Sequence, residues 1–119
     1  MLGDSSFHIS ISGTTNQVRV IYSIGLNKRE SALILKIQEF FGGIGKISEY
    51  KNAIQFIVAS IKSIDTILIP HFDSFELKGH KLHNYLIWRE IACLVISKSH
   101  LTIEGLQKIK DLKLKLNIK

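Results

Sequence analysis

The sequence predicts an α+β fold, an antiparallel four-stranded saddle sheet with helices packed on one face. Three observations predict it. Two pairs of short segments alternate apolar and polar residues around turn-forming stretches, the pattern of half-buried hairpins. Amphipathic stretches at helical spacing follow each pair. A length of 119 residues with 45% apolar content supports one domain, residues 1–119, and little more.

Phe7, Ile9 and Ile11 alternate with His8, Ser10 and Ser12 and form the first strand. Gly13 to Asn16 is a turn, rich in side chains that hydrogen-bond locally. Val18 to Ile24 is the second strand, with Val18, Val20, Tyr22 and Ile24 toward the core and Arg19, Ile21 and Ser23 away from it. Asn27 followed by Glu30 has the spacing of a helix start, in which each side chain satisfies free backbone amides. Leu33, Ile34, Ile37, Phe40 and Phe41 recur at helical spacing, and Gly42-Gly43 ends that helix because glycine accepts the left-handed conformation. Ile44 to Glu49 and Ala53 to Ala59 make the second strand pair around Tyr50-Lys51-Asn52. Ile54, Phe56 and Val58 face one way; Ala53, Gln55 and Ile57 face the other.

Ser60 caps a short helix through Ile61, Ile64, Ile67 and Leu68, which Pro70 should stop. Phe72 to Leu77 reads as a connecting loop. Lys81 to Ser97 is a longer helix, with Leu82, Tyr85, Leu86, Ala92, Cys93 and Ile96 expected as its buried stripe. Thr102 caps a last helix carrying Ile103, Leu106 and Ile109. From Leu112 to Lys119 apolar residues alternate with lysine, which fits a strand or a helix end. The predicted order is β-β-α-β-β-α-α-α, which leaves one sheet face open.

Charge is distributed unevenly. Residues 1–77 carry seven basic and seven acidic side chains, whereas residues 78–119 carry nine basic and three acidic ones. The whole net charge of +6 therefore lies in the C-terminal third, which makes nucleic acid the first partner to consider. The single cysteine, Cys93, excludes an intrachain disulfide framework and a cysteine-based zinc cage, and is expected in the core. His80 and His83 lie one helical turn apart but lack further ligands for a metal. Gly42-Gly43-Ile44-Gly45 runs from helix to strand, whereas phosphate cradles run from strand to helix. Trp88 reads as core edge or partner contact. No apolar run is long enough to cross a membrane, so no membrane partner is expected. Twenty Ile and thirteen Lys fit an AT-rich genome, and with it an organellar, mitochondrial setting.

Several segments together resemble one family. Val20-Ile21-Tyr22-Ser23-Ile24-Gly25-Leu26-Asn27-Lys28-Arg29 is similar to the second strand and helix start of LAGLIDADG homing endonucleases. Phe40-Phe41-Gly42-Gly43-Ile44-Gly45-Lys46-Ile47 resembles their helix-to-hairpin turn, and Ile69-Pro70-His71-Phe72-Asp73 with Gly79-His80-Lys81-Leu82-His83-Asn84-Tyr85 resembles the next turn and helix. His100 to Ile109 resembles their closing helix. The resemblance runs in order over nearly the whole chain. It implies a half-domain of two pseudo-symmetric halves whose sheets sit on DNA. It also implies motif helices ending in acidic residues that hold Mg²⁺ for phosphodiester cleavage.

Gly3-Asp4-Ser5-Ser6-Phe7 resembles the end of the motif, which assigns Asp4 as catalytic and as the metal ligand. Lys81 matches the family's basic residue near the active site, where it stabilises developing phosphate charge. Three residues precede Asp4, so the motif helix is expected to be truncated before it, leaving Asp4 off a rigid scaffold. Ser5 stands at a motif glycine, and Leu26 at a position usually polar. The resulting expectation is a non-catalytic nucleic-acid-binding protein derived from a homing endonuclease, on structured intron or ribosomal RNA in an organellar ribonucleoprotein. The alternative is half of a Mg²⁺-dependent homing DNA endonuclease that needs a second LAGLIDADG half, or another protein, to cleave duplex DNA. Candidate nucleic-acid contacts are Arg19, Lys46, Tyr50, Lys51 and Gln55 on the sheet side, and Lys108, Lys110, Lys113, Lys115 and Lys119 at the C-terminus.

Overall fold

The structure is a computed structural model that describes residues 4–15, 17–74 and 77–116, with the backbone alone for residues 4 and 5. Residues 1–3 lie outside it, and so does the expected truncation of the motif helix; Lys119 lies outside it as well.

Four strands, β1 (Asp4–Ile11), β2 (Val18–Asn27), β3 (Lys46–Glu49) and β4 (Ala53–Val58), form one antiparallel sheet in the order β1-β2-β4-β3. The helices are α1 (Ser31–Phe40), α2 (Ile61–Ser63), α3 (Ile69–Ser74), α4 (Gly79–Ile96) and α5 (Ile103–Lys115). The period-two pattern sets the faces. Phe7, Ile9, Val18, Val20, Tyr22, Ile24, Ile54, Phe56 and Val58 are all buried beneath the helices. Helical residues close the core from the other side: Ile34 and Ile37 of α1, Trp88 and Ile91 of α4, and Ile109 of α5. Trp88 is fully buried, and its indole Nε1 donates to the Ile21 carbonyl at 3.0 Å, which ties α4 to β2.

Both hairpins form, with longer limits than expected for the first and shorter ones for the second. β1 begins at Asp4, whose backbone pairs with Gly25, so that position stands in a paired strand rather than off the scaffold. The Asn27 carboxamide caps as expected, accepting from Arg29 N at 3.1 Å, but a 3-10 turn (Lys28–Glu30) precedes α1. Gly42 and Gly43 end α1 with φ of 83° and 84°. At Gly45 a Cβ would meet the Ile57 carbonyl oxygen at 2.6 Å, so only glycine lets β3 start this close to β4.

Four expectations are corrected. Pro70 does not stop a helix. α2 passes through a π segment (Ile64–Leu68) into α3, and the shifted hydrogen bonds of that segment accommodate the missing proline N–H. Phe72 accordingly lies in α3, buried against Phe7, not in a loop. The buried stripe of α4 is Tyr85, Ile87, Trp88, Ile91 and Ala92; Leu86 is 54% exposed, Leu82 is exposed, and Cys93 faces solvent. This helix is apolar on two sides, so periodicity alone did not select the inner one. Ile103 is 89% exposed and Phe40 70%, because each sits beside the apolar stripe of its helix rather than on it.

Candidate nucleic-acid interface

The face of the sheet turned away from the helices is assembled by cross-strand register. Ser10 pairs with Arg19 and His8 with Ile21 across β1 and β2. Ser6, Ser23, Ile57 and Lys46 form one row across all four strands, and Asp4, Gly25, Gln55 and Ser48 form the next row across the same strands. Arg19 and Lys46 are exposed, while Ser48, Gln55 and Ile57 are half-buried by their neighbours. Arg19 and Ser23, which shares the Lys46 row, are four residues apart on β2, a separation of about 13 Å. Long donors on this face are therefore few and held apart on a rigid support.

The β3–β4 turn overhangs that face. The Tyr50 N–H donates to the Ala53 carbonyl at 2.7 Å, closing the turn, and Lys51 at its tip is exposed. The Tyr50 hydroxyl donates to Oε1 of Gln55 at 3.3 Å. Tyr50 and Gln55 were separate candidates in sequence; their pairing needed the hairpin geometry. Beside the turn, Lys28 and Glu49 lie 3.9 Å apart, each about half exposed, a weak surface pair.

The C-terminal lysines belong to the helical layer. Lys108, Lys110, Lys113 and Lys115 are exposed on α5, which packs on α4. At 100° per residue Lys108 and Lys115 fall on one flank of buried Ile109, and Lys110 and Lys113 on the other. They are dense in sequence but do not form one patch. Lys113 and Lys115 also occupy the last turn, where they complement the helix dipole. Lys81 is exposed near the start of α4, and His83 Nε2 lies 3.1 Å from the Lys115 carbonyl.

One polar network in this layer has no signal in sequence. Asp73 on α3 accepts from Tyr85 (2.6 Å) and from Arg89 Nε (2.9 Å) and Nη2 (3.0 Å) on α4. The Arg89 guanidinium, and then the Tyr85 hydroxyl, hold the Asp73 carboxyl below its usual range. Burial, and then the Asp73 carboxylate, push the Tyr85 phenol up. Sixteen residues separate Asp73 from Arg89, so only the packing of α3 on α4 brings them together.

Among the described residues, no three carboxylate, imidazole or thiol groups gather closely enough to hold a metal ion. The side chain of Asp4, the metal ligand that the resemblance implies, lies outside the described residues. No described helix is long and apolar enough to cross a membrane.

Comparison with known proteins bears on this geometry. The family model described as LAGLIDADG endonuclease matches residues 1–92. "Probable intron-encoded endonuclease 2" of Neurospora crassa is 38% identical over 113 residues, which are 93% of this chain and 24% of that protein. The crystal structure of the LAGLIDADG meganuclease I-CpaMI bound to uncleaved DNA superposes with a TM-score of 0.88 at 37% identity, covering 97% of this chain and 42% of that one. I-SmaMI, bound to its uncleaved DNA target in the presence of calcium ions, gives 0.87 at 29% identity, covering 98% and 41%. The chain thus spans about a quarter of the length of that fungal relative and about two fifths of the solved chains.

Proposed function

The chain belongs to the LAGLIDADG endonuclease family, and from that premise we propose that it is one half of a divalent-metal-dependent homing DNA endonuclease, docking on duplex DNA through its open sheet face. The observation that carries this reading is that face: Arg19, Lys46 and Gln55 stand on strands of a fold shared with proteins seen on DNA. In this reading residues 1–119 are a single half-domain, and cleavage requires a second LAGLIDADG half. Asp4 is the group this chain offers to Mg²⁺, and Lys81 supplies positive charge beside the scissile phosphate. In this reading the other carboxylates come from the partner half. The expectation of a structured-RNA partner, a ribonucleoprotein and a lapsed activity draws no support from the relatives. An intron-encoded fungal relative favours an organellar, mitochondrial setting.

The test has two parts. The purified chain should retain duplex DNA more strongly than structured RNA in a gel shift at low salt. Mixed with a complementary LAGLIDADG half, it should cleave a selected duplex in Mg²⁺, and Asp4→Asn should abolish that cleavage. Preferential retention of RNA, or cleavage indifferent to Asp4→Asn, would overturn the reading.

A further inference from the structure

We propose that Tyr50 and Gln55 form one base-reading unit, in which the phenol hydroxyl fixes the Gln55 carboxamide so that its amide N–H₂ group faces the major groove and favours guanine over adenine. The inference rests on the reading of the open sheet face as the DNA-docking surface.

Three features set the unit apart from the rest of the face. Gln55 is flanked in its row by Gly25 and Ser48, a residue with no side chain and one with a short side chain. Among the described residues, a Cβ at Gly25 would have nothing within 4 Å. Tyr50 is 55% exposed at a turn closed by its own backbone hydrogen bond, and its hydroxyl donates to Gln55 Oε1 at 3.3 Å. Among the described residues, Tyr50 is the one side chain in hydrogen-bond contact with Gln55.

A free glutamine carboxamide offers an acceptor and a donor side by side, which matches the N6 donor and N7 acceptor of adenine. With Oε1 engaged by the phenol, Nε2 is the end left to act, and two hydrogens suit the paired acceptors N7 and O6 of guanine. Oε1 keeps a second lone pair, so the outcome is a bias of about tenfold rather than an absolute choice.

Selection from a randomised duplex pool with the full chain at low salt reads the bias directly, comparing wild type with Tyr50→Phe, Gln55→Ala and Gln55→Glu. Gln55→Ala should erase the preference at one base pair and leave the others. At that pair the wild type should favour guanine over adenine about tenfold. Tyr50→Phe should shift the same pair toward adenine. Gln55→Glu, now only an acceptor, should exchange guanine for cytosine, which offers a donor at N4. A wild-type preference for adenine at the Gln55-dependent pair, or identical preferences for wild type and Tyr50→Phe, overturns the unit while leaving DNA docking intact. If Tyr50→Phe does not fold, Gln55→Glu decides, and an unchanged guanine preference overturns the unit. Retention of no duplex by folded wild type overturns the docking reading, and this inference with it.

Discussion

The two basic regions of this protein stand on different supports. Arg19, Lys46 and Gln55 project from strands whose alternate residues, Val18, Val20, Ile47, Ile54 and Phe56, are buried or packed into the core. Lys108, Lys110, Lys113 and Lys115 ride on a helix with one fully buried residue, Ile109, and the last two lysines close its final turn. The sheet residues are few but fixed in position by the ladder and the core behind it. The α5 lysines are numerous but divided between two flanks, and a helix C-terminus alone gives part of them a role. Charge density along a sequence thus says less about a binding surface than the scaffold beneath the charges.

The contrast is tested most severely at the joint between the layers. Trp88→Ala should cost about 3–5 kcal/mol by removing a buried indole and its bond to the Ile21 carbonyl, read by urea unfolding. A cost below about 1 kcal/mol would show that the helical layer does not brace the sheet.

Salt titration of duplex binding separates the two regions. Arg19→Ala with Lys46→Ala should lower the log–log slope by about 1.8, at about 0.9 per phosphate contact. Lys113→Ala with Lys115→Ala should change it by less than half as much. Equal losses would place α5 on the nucleic acid and end the comparison.

The Asp73–Tyr85–Arg89 network sharpens it from the helical side. The Asp73 carboxyl is depressed by Arg89 and then Tyr85, so its contribution is complete above the ordinary carboxylate range and lost as pH falls through its lowered value. The Tyr85 phenol is raised, so its contribution holds below the ordinary tyrosine value and declines as pH rises above it. Asp73→Asn should therefore cost about 1 kcal/mol near neutral pH, the side chains being about two fifths exposed, and flatten the acid limb of a stability–pH curve. DNA binding at neutral pH should be unchanged. The smallest effect is expected at Cys93, which faces solvent: Cys93→Ser should alter stability by less than about 0.5 kcal/mol.

Much of the fold was legible residue by residue. The alternation at Phe7–Ile11 and Val18–Ile24 named the buried face of the first hairpin, and Gly42-Gly43 and Thr102 marked helix boundaries where the structure has them. The reading failed where one local rule met a tertiary override. Pro70 signals a stop, yet the π segment before it needs no proline N–H. α4 is apolar on two sides, so the periodicity that named Tyr85 and Ala92 also named Leu82, Leu86 and Cys93. The candidate interface was half legible. Arg19, Lys46, Tyr50, Lys51 and Gln55 follow from strand parity and turn position, but the Tyr50–Gln55 bond depends on how the β3–β4 turn folds over its own strand.

The sequence by itself determined the order of the strands, the antiparallel hairpins, the side of each strand that is buried and the family, because each follows from a local period or from a run of neighbouring residues. The tertiary structure alone decided which side of α4 meets the sheet, that Trp88 is fully buried, that Asp73 joins Arg89, and that the abundant α5 lysines and the sparse sheet donors lie on different layers. Those outcomes depend on which surfaces remain to be covered once the sheet has formed. That competition is between segments far apart in the chain, and no local pattern records its result.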